Sequence, residues 1–121
     1  MKLRALRGAI TVDANDRDAI LDGTEELVHA VMERNGLEAG DVVSCIFTVT
    51  GDLDAAFPAE AARRLGLDAV PLLCAREIDV SGALPRVIRL LVHCYADDGA
   101  AAQHVYLRDA VSLRRDLGAA Q

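Results

Sequence analysis

PLLCAREIDVSGALPRVIRLLVHCY, residues 71–95, places Cys74, Arg76, Glu77, Asp79, Arg86 and Arg89 in an otherwise apolar stretch. An apolar run enters over residues 70–73, polar groups follow in quick succession, Ser81-Gly82 makes a turn, and a second apolar run leaves through Arg89. Burying an unpaired guanidinium costs several kcal/mol. Arg89, set among Ile88, Leu90, Leu91 and Val92, therefore needs a protein carboxylate or a cleft that admits an anion.

The elements on either side follow from periodicity and punctuation. Residues 70–75 read as a strand. Residues 86–96, rich in Val, Ile and Tyr and preceded by Pro85, read as another, although periodicity alone leaves a helix open there. On the strand reading Arg89 shares a face with Val87, Leu91, His93 and Tyr95. Upstream, residues 41–50, DVVSCIFTVT, form a short β-branched strand. Gly51-Asp52 then loop, and Pro58 opens a short helix that Gly66 closes. Arg63 and Arg64 lie near the end of that helix, where cations are favoured without any function.

Residues 2–12 alternate as a strand, with Leu6, Gly8, Ile10 and Val12 on one side and Ala5, Arg7, Ala9 and Thr11 on the other. Asn15 or Asp16 caps a helix that runs to about Asn35 and ends at Gly36, with Ile20, Thr24, Leu27, Val28 and Val31 on one stripe. His29 falls on its polar side. Past a turn at 97–102, residues 104–107 read as an edge strand, 108–113 as a helical turn or loop, and 114–121 as a frayed tail. The expected whole is one compact α/β or α+β domain.

The 121 residues suffice for one sizeable core. That core is aliphatic, because 52% of residues are hydrophobic while Trp is absent and Phe and Tyr number two each. A net charge of −6 without a basic run argues against nucleic acid and anionic membranes as partners. No window approaches the roughly 18 apolar residues of a membrane span, and the charged N-terminus does not read as a signal peptide. Cys45, Cys74 and Cys94, odd in number and widely spaced, read as free thiols of a cytoplasmic protein.

Cys74, Glu77, His93, Cys94 and His104 match no metal spacing, and no metal is expected. A Cys74 nucleophile with His93 or His104 as base lacks local support, and no glycine-rich nucleotide loop occurs. What remains is a set of arginines, Arg7, Arg63, Arg89 and Arg114, drawn from four elements with Glu77 and Tyr106 for company. Arginine suits bidentate carboxylate recognition, which points to a small di-acid.

RGAITV at 7–12, TGDLDAAFPAEAAR at 50–63, VPLLCAREIDVSGALPRVIR at 70–89 and HVYLRDAVSLRRDL at 104–117 together resemble the AroH class of chorismate mutases, collinearly and over nearly the whole chain. The resemblance implies an α+β fold, a mixed β-sheet with helices packed on one side, assembled into a homotrimeric pseudo-α/β-barrel with active sites between subunits. It also implies the Claisen rearrangement of chorismate to prephenate in phenylalanine and tyrosine synthesis, with no cofactor. Carried over by position, Arg7 and Tyr106 hold the side-chain carboxylate of the substrate, and Arg89 donates to the ether oxygen. Glu77 and Cys74 meet the ring hydroxyl, Phe57 and Ala59 line the wall, Leu73 and Leu113 add contacts, and Arg63 and Arg114 lie at the mouth. The chain departs from the family at Glu60, Leu73 and Arg115, where lysine, threonine and proline are usual. A non-catalytic carboxylate- or amino-acid-binding regulatory module, or a small imine deaminase, would use the same arginines.

Overall fold

The computed structural model describes residues 1–116, excepting the side chains of Arg115 and Asp116. Of the frayed tail expected over 114–121, residues 114–116 instead continue a 3-10 helix, and 117–121 lie outside the described residues. Five strands form one sheet: β1 (Lys2–Thr11), β2 (Val42–Val49), β3 (Leu72–Arg76), β4 (Val87–Ala96) and β5 (Val105–Leu107). Their spatial order is β3-β2-β4-β1-β5. β4 runs antiparallel to both β1 and β2, while β3 pairs parallel with β2 and β5 parallel with β1. The sheet is therefore mixed, as the resemblance implies, and residues 86–96 resolve as strand.

Two crossovers place both helices on the same face. Helix α1 (Arg17–Arg34) joins β1 to β2, and α2 (Pro58–Ala62) leads from β2 towards β3. Asp16 caps α1 by accepting from the Ala19 amide at 2.7 Å, and Gly36 ends it at φ 62°, a conformation that glycine adopts without penalty. Asn15, the other candidate cap, instead braces the loop before α2. It donates to the Asp54 carboxylate at 2.8 Å and accepts from the amides of Asp54 and Ala55 at 3.0 and 3.1 Å. The turn after α2 is a wide π-type turn over Arg63–Leu67, and Gly66 there has φ 95°.

The main core lies between these helices and the covered sheet face, with Leu6, Ile10, Leu27, Val28, Val31, Phe47, Leu90 and Val92 all buried. Gly8 permits the close approach of α1, because a Cβ there would stand 3.1 Å from Leu27 Cδ1 and 3.2 Å from Val31 Cγ2. The other face of the sheet is open over most of its area. A smaller cluster of Ala9, Val87 and Ala110, joined by Leu84, Tyr106 and Leu113, covers one end of it. The covering segment is a 3-10 helix over Arg108–Asp116, longer than the turn expected from the sequence. Its anchor is Thr11, whose hydroxyl accepts from the Asp109 amide at 3.1 Å.

Candidate active site

Register alone aligns the polar groups of the open face. Ala75 pairs with Thr48, Thr48 with Arg89, Arg89 with Ala9 and Ala9 with Tyr106, one row across all five strands. Directly paired residues point to the same side of a sheet, as do residues two apart on one strand. Arg7, Thr48, Leu73, Glu77, Arg89 and Tyr106 thus belong to the open face. The alanines at 9 and 75 leave room beside the longer side chains.

Glu77 and Arg89 meet there, with Oε2 to Nη1 at 3.0 Å and side chains 22% and 28% exposed. The Thr48 hydroxyl donates to the other oxygen of Glu77, Oε1. Burial pushes the Glu77 carboxyl up. The hydrogen bonds from Thr48 and Arg89 and the charges of Arg89 and Arg7 outweigh that push, so it sits below its ordinary value. Arg7 lies on the same face of β1 as Ala9, the residue paired with Arg89, two positions along the strand. The Tyr106 hydroxyl is buried and has no hydrogen-bond partner among the described residues, and Leu113 packs against the same small cluster. Arg114 is exposed on the 3-10 helix.

The start of β4 is pinned by a clip of polar contacts. The Asp52 carboxylate accepts from the Arg86 amide at 3.0 and 3.2 Å, the Thr50 hydroxyl accepts from the Val87 amide at 3.0 Å, and Arg86 Nε donates to the Val12 carbonyl at 3.1 Å. Arg86 sits at φ 50°, a conformation that side-chain-bearing residues rarely adopt. This clip fixes the strand two residues before Arg89. On the far side, His104 Nδ1 accepts from the Arg7 amide at 3.0 Å and ties the approach to β5 onto β1.

Other expected residues gather elsewhere. Phe57, Arg63 and Cys74 line a cleft of about 520 Å³ between the edge strand β3 and the α2 region, together with Arg17, Glu60 and Arg76. Cys74 pairs with Phe47 and packs on the covered core. Within one protomer it therefore does not join Glu77 on the open face, because positions 74 and 77 differ in strand parity. Ala59 is turned into the main core at 5% exposure rather than onto the cleft wall: the buried side of α2 takes Pro58, Ala59, Ala61 and Ala62. Phe57 stands 72% exposed at the cleft and Leu73 61% exposed on the open face. Glu60 is held by Arg17 at 2.5 Å and more loosely by Arg64 at 3.9 Å. His29 is exposed, 3.6 Å from Glu33.

Thr48 is the functional-face residue that sequence reasoning passed over. Within DVVSCIFTVT it reads as one more β-branched strand former, and its link to Glu77 depends on the parallel register of β2 and β3. Among the described residues no group of three or more His, Cys, Asp or Glu side chains is placed to hold a metal ion, and no helix is long and apolar enough to cross a membrane. The three cysteines are free thiols.

The open sheet face thus carries a cation–anion pair and a phenol without a partner among the described residues, and the cleft at the β3 edge carries Arg17, Arg63 and Arg76 together with Asp54 and Glu60. The family model described as chorismate mutase type I matches residues 3–117, and the chain belongs to that family. The chain is 50% identical to chorismate mutase AroH of Thermus thermophilus over 121 residues, covering 98% of this chain and 99% of that protein. It is 40% identical to chorismate mutase AroH of Bacillus subtilis over 119 residues, covering 97% and 94%. Among solved structures, a chorismate mutase from Clostridium thermocellum superposes with a TM-score of 0.87 at 47% identity, covering 90% of this chain and 98% of that one. The mixed sheet with helices on one side is thus the fold of a known chorismate mutase.

Proposed function

We propose that the protein is a chorismate mutase that rearranges chorismate to prephenate within aromatic amino acid synthesis, acting as a cytoplasmic homotrimer. The observation that carries this reading is the Glu77–Arg89 pair at 3.0 Å on the open face, with Tyr106 in the same row as Arg89, its hydroxyl without a partner among the described residues. The rearrangement breaks an ether bond and forms a carbon–carbon bond in one pericyclic step. Negative charge grows on the enolpyruvyl side, including the ether oxygen, while the ring becomes positive. A fixed guanidinium at one end and a carboxylate at the other stabilise that separation more than they stabilise the substrate.

In this reading Arg89 donates to the ether oxygen, Glu77 faces the ring, and Arg7 with the Tyr106 hydroxyl holds the side-chain carboxylate. Glu77 suits its role because its lowered pKa keeps it anionic at neutral pH. No step requires an acid, a base or a covalent bond to the protein. The rest of the rate enhancement comes from holding the substrate in the compact conformer that reacts.

The division of the expected residues between two surfaces supports the trimer. Phe57, Arg63 and Cys74 line a cleft at the β3 edge, whereas Arg7, Glu77, Arg89 and Tyr106 occupy the open face. One protomer therefore presents two half-sites, and a cyclic assembly brings the cleft of one copy over the face of the next. Leu3, Leu73 and Tyr95, exposed by 54%, 61% and 46% on the open face, supply apolar area for that contact.

Loss of chorismate absorbance over purified protein, with prephenate identified as product and no cofactor added, tests the reaction. Sedimentation tests the assembly, and the reading expects a species of about 39 kDa from chains of 12.9 kDa and activity that falls on dilution. Binding of chorismate without turnover would replace the enzyme by a binding module, and full activity in a monomer would remove the shared site.

A further inference from the structure

We infer that Thr48 is a positioning residue for the reaction, the hydroxyl that keeps the Glu77 carboxylate aimed when Arg89 turns to the substrate. The inference rests on the reading of Glu77 as the carboxylate that faces the reacting ring. Glu77 follows the last residue of β3, at the point where that edge strand leaves the sheet, and its own amide is held only by the Val49 carbonyl at 2.9 Å. Its side chain has two anchors, one on each oxygen: Thr48 on Oε1 and Arg89 on Oε2. Of the two, only Thr48 has no second task in the reaction.

An Arg89 that donates to the ether oxygen in the transition state shares its N–H groups between that oxygen and Glu77. A carboxylate aimed by Arg89 alone would swing as that sharing changed, and the electrostatic benefit of a preorganised group depends on its not reorganising during the step. Thr48 is well suited to hold it. It sits in the middle of the central half of the sheet, paired to Arg89 on β4 and to Ala75 on β3, so its Cα position is set by backbone hydrogen bonds on both sides. As a β-branched residue it has a stiff χ1, and the hydroxyl makes a charge-assisted bond to the carboxylate. Ala75 leaves the space through which Glu77 reaches it. The charged groups acting on Glu77 are Arg89 from β4 and Arg7 from β1. Both remain when the hydroxyl is removed.

The experiment compares Thr48→Val, which deletes the hydroxyl and keeps the branched shape, Thr48→Ser, which keeps the hydroxyl, and Glu77→Gln, each assayed for chorismate turnover as a function of pH alongside thermal melting. Thr48→Val is expected to lower kcat by about tenfold, the loss of one hydrogen bond to a charged group, with little change in KM. With one of its donors gone, Glu77 takes up a proton more readily, so the acid limb of the rate profile moves to higher pH. Thr48→Ser recovers most of both effects, and Thr48→Val adds nothing further on top of Glu77→Gln. Thr48→Ala reads the same effects if the valine variant folds poorly.

A Thr48→Val enzyme with the wild-type kcat and acid limb, beside an impaired Glu77→Gln, overturns the inference. So does a loss that persists unchanged in the Glu77→Gln background. A Glu77→Gln enzyme with full activity instead removes the role of Glu77 itself, and the two failures are thereby told apart.

Discussion

Replacing Arg89 by alanine separates catalysis from folding more sharply than any other change on the open face. The side chain is 28% exposed and its partner Glu77 22% exposed, so the ion pair contributes modestly to stability, on the order of 1 kcal/mol or less. Its contribution to the rate is of another size. Removing one preorganised donor aimed at developing charge costs about 10²- to 10³-fold in kcat, and Arg89 carries a full charge. The substitution also frees Glu77. Burial still pushes that carboxyl up, while only Thr48 and Arg7 remain to pull it down, so the acid limb of the residual activity moves to higher pH. Arg89→Lys keeps the charge on a compact ammonium but loses the planar fork, and its activity falls between wild type and alanine. The assay is chorismate disappearance at saturating and at low substrate, with a melting curve of each variant. If kcat/KM falls by less than about tenfold while the variant stays folded, or if the loss merely follows the unfolded fraction, the electrostatic account of the site is wrong.

Other outcomes follow from the packing and the shifted groups. Gly23→Ala gains about 1 kcal/mol of helix propensity, but its Cβ would lie 2.5 Å from Val12 Cγ1, an overpacking that costs about 1–3 kcal/mol; chemical denaturation should show a net loss in the wild-type background and a net gain once Val12 is alanine. The Cys45 thiol, pushed up to about 12 by burial and by the neighbouring Cys74, should resist iodoacetamide in the native protein at mildly alkaline pH and react after unfolding, as mass spectrometry of the labelled peptide would show. Glu77 has a native pKa below its ordinary value of 4.5, so its stabilising contribution is present above that value and is lost as pH falls through the lower native one. Acid unfolding should therefore be less steep in Glu77→Gln, and equal steepness would remove Glu77 from the account. Asp52 is shifted the same way by Thr50 and Arg86, against burial, but it is exposed and screened, so Asp52→Asn should alter the acid limb less.

Much of this architecture was legible in the chain because local signals agreed. The alternation over residues 2–12 fixed which side of β1 carries Arg7, the Asp16 cap and Gly36 bounded α1, and Pro58 marked the start of α2. Residues 86–96 were ambiguous because apolar side chains occupy both faces of β4, a central strand, with only Arg89 and His93 breaking the run. The pairing of Arg89 with Glu77 was open to inference from the need of a half-buried guanidinium for a partner. What the chain did not display was non-local. Thr48 meets Glu77 only through the β2–β3 register, and the separation of Cys74 from Glu77 is a matter of strand parity at an edge. The burial of Ala59 depends on which side of a five-residue helix meets the core.

The single row from Ala75 through Thr48, Arg89 and Ala9 to Tyr106 has a consequence for errors in assembly. Side chains alternate sides with a period of two, so a slip of β4 by one residue would turn Arg89, with Val87, Leu91 and His93, towards the helices and away from Thr48 and Ala9. Such a slip would also drive Ile88, Leu90 and Val92 out of the core, so no halfway arrangement keeps part of the chemistry. A preparation recovered from denaturant should thus contain molecules of full specific activity and molecules of none. The measured rate per milligram then counts the fraction of chains whose ladders closed correctly, and active-site titration with a tight-binding inhibitor should return that same fraction.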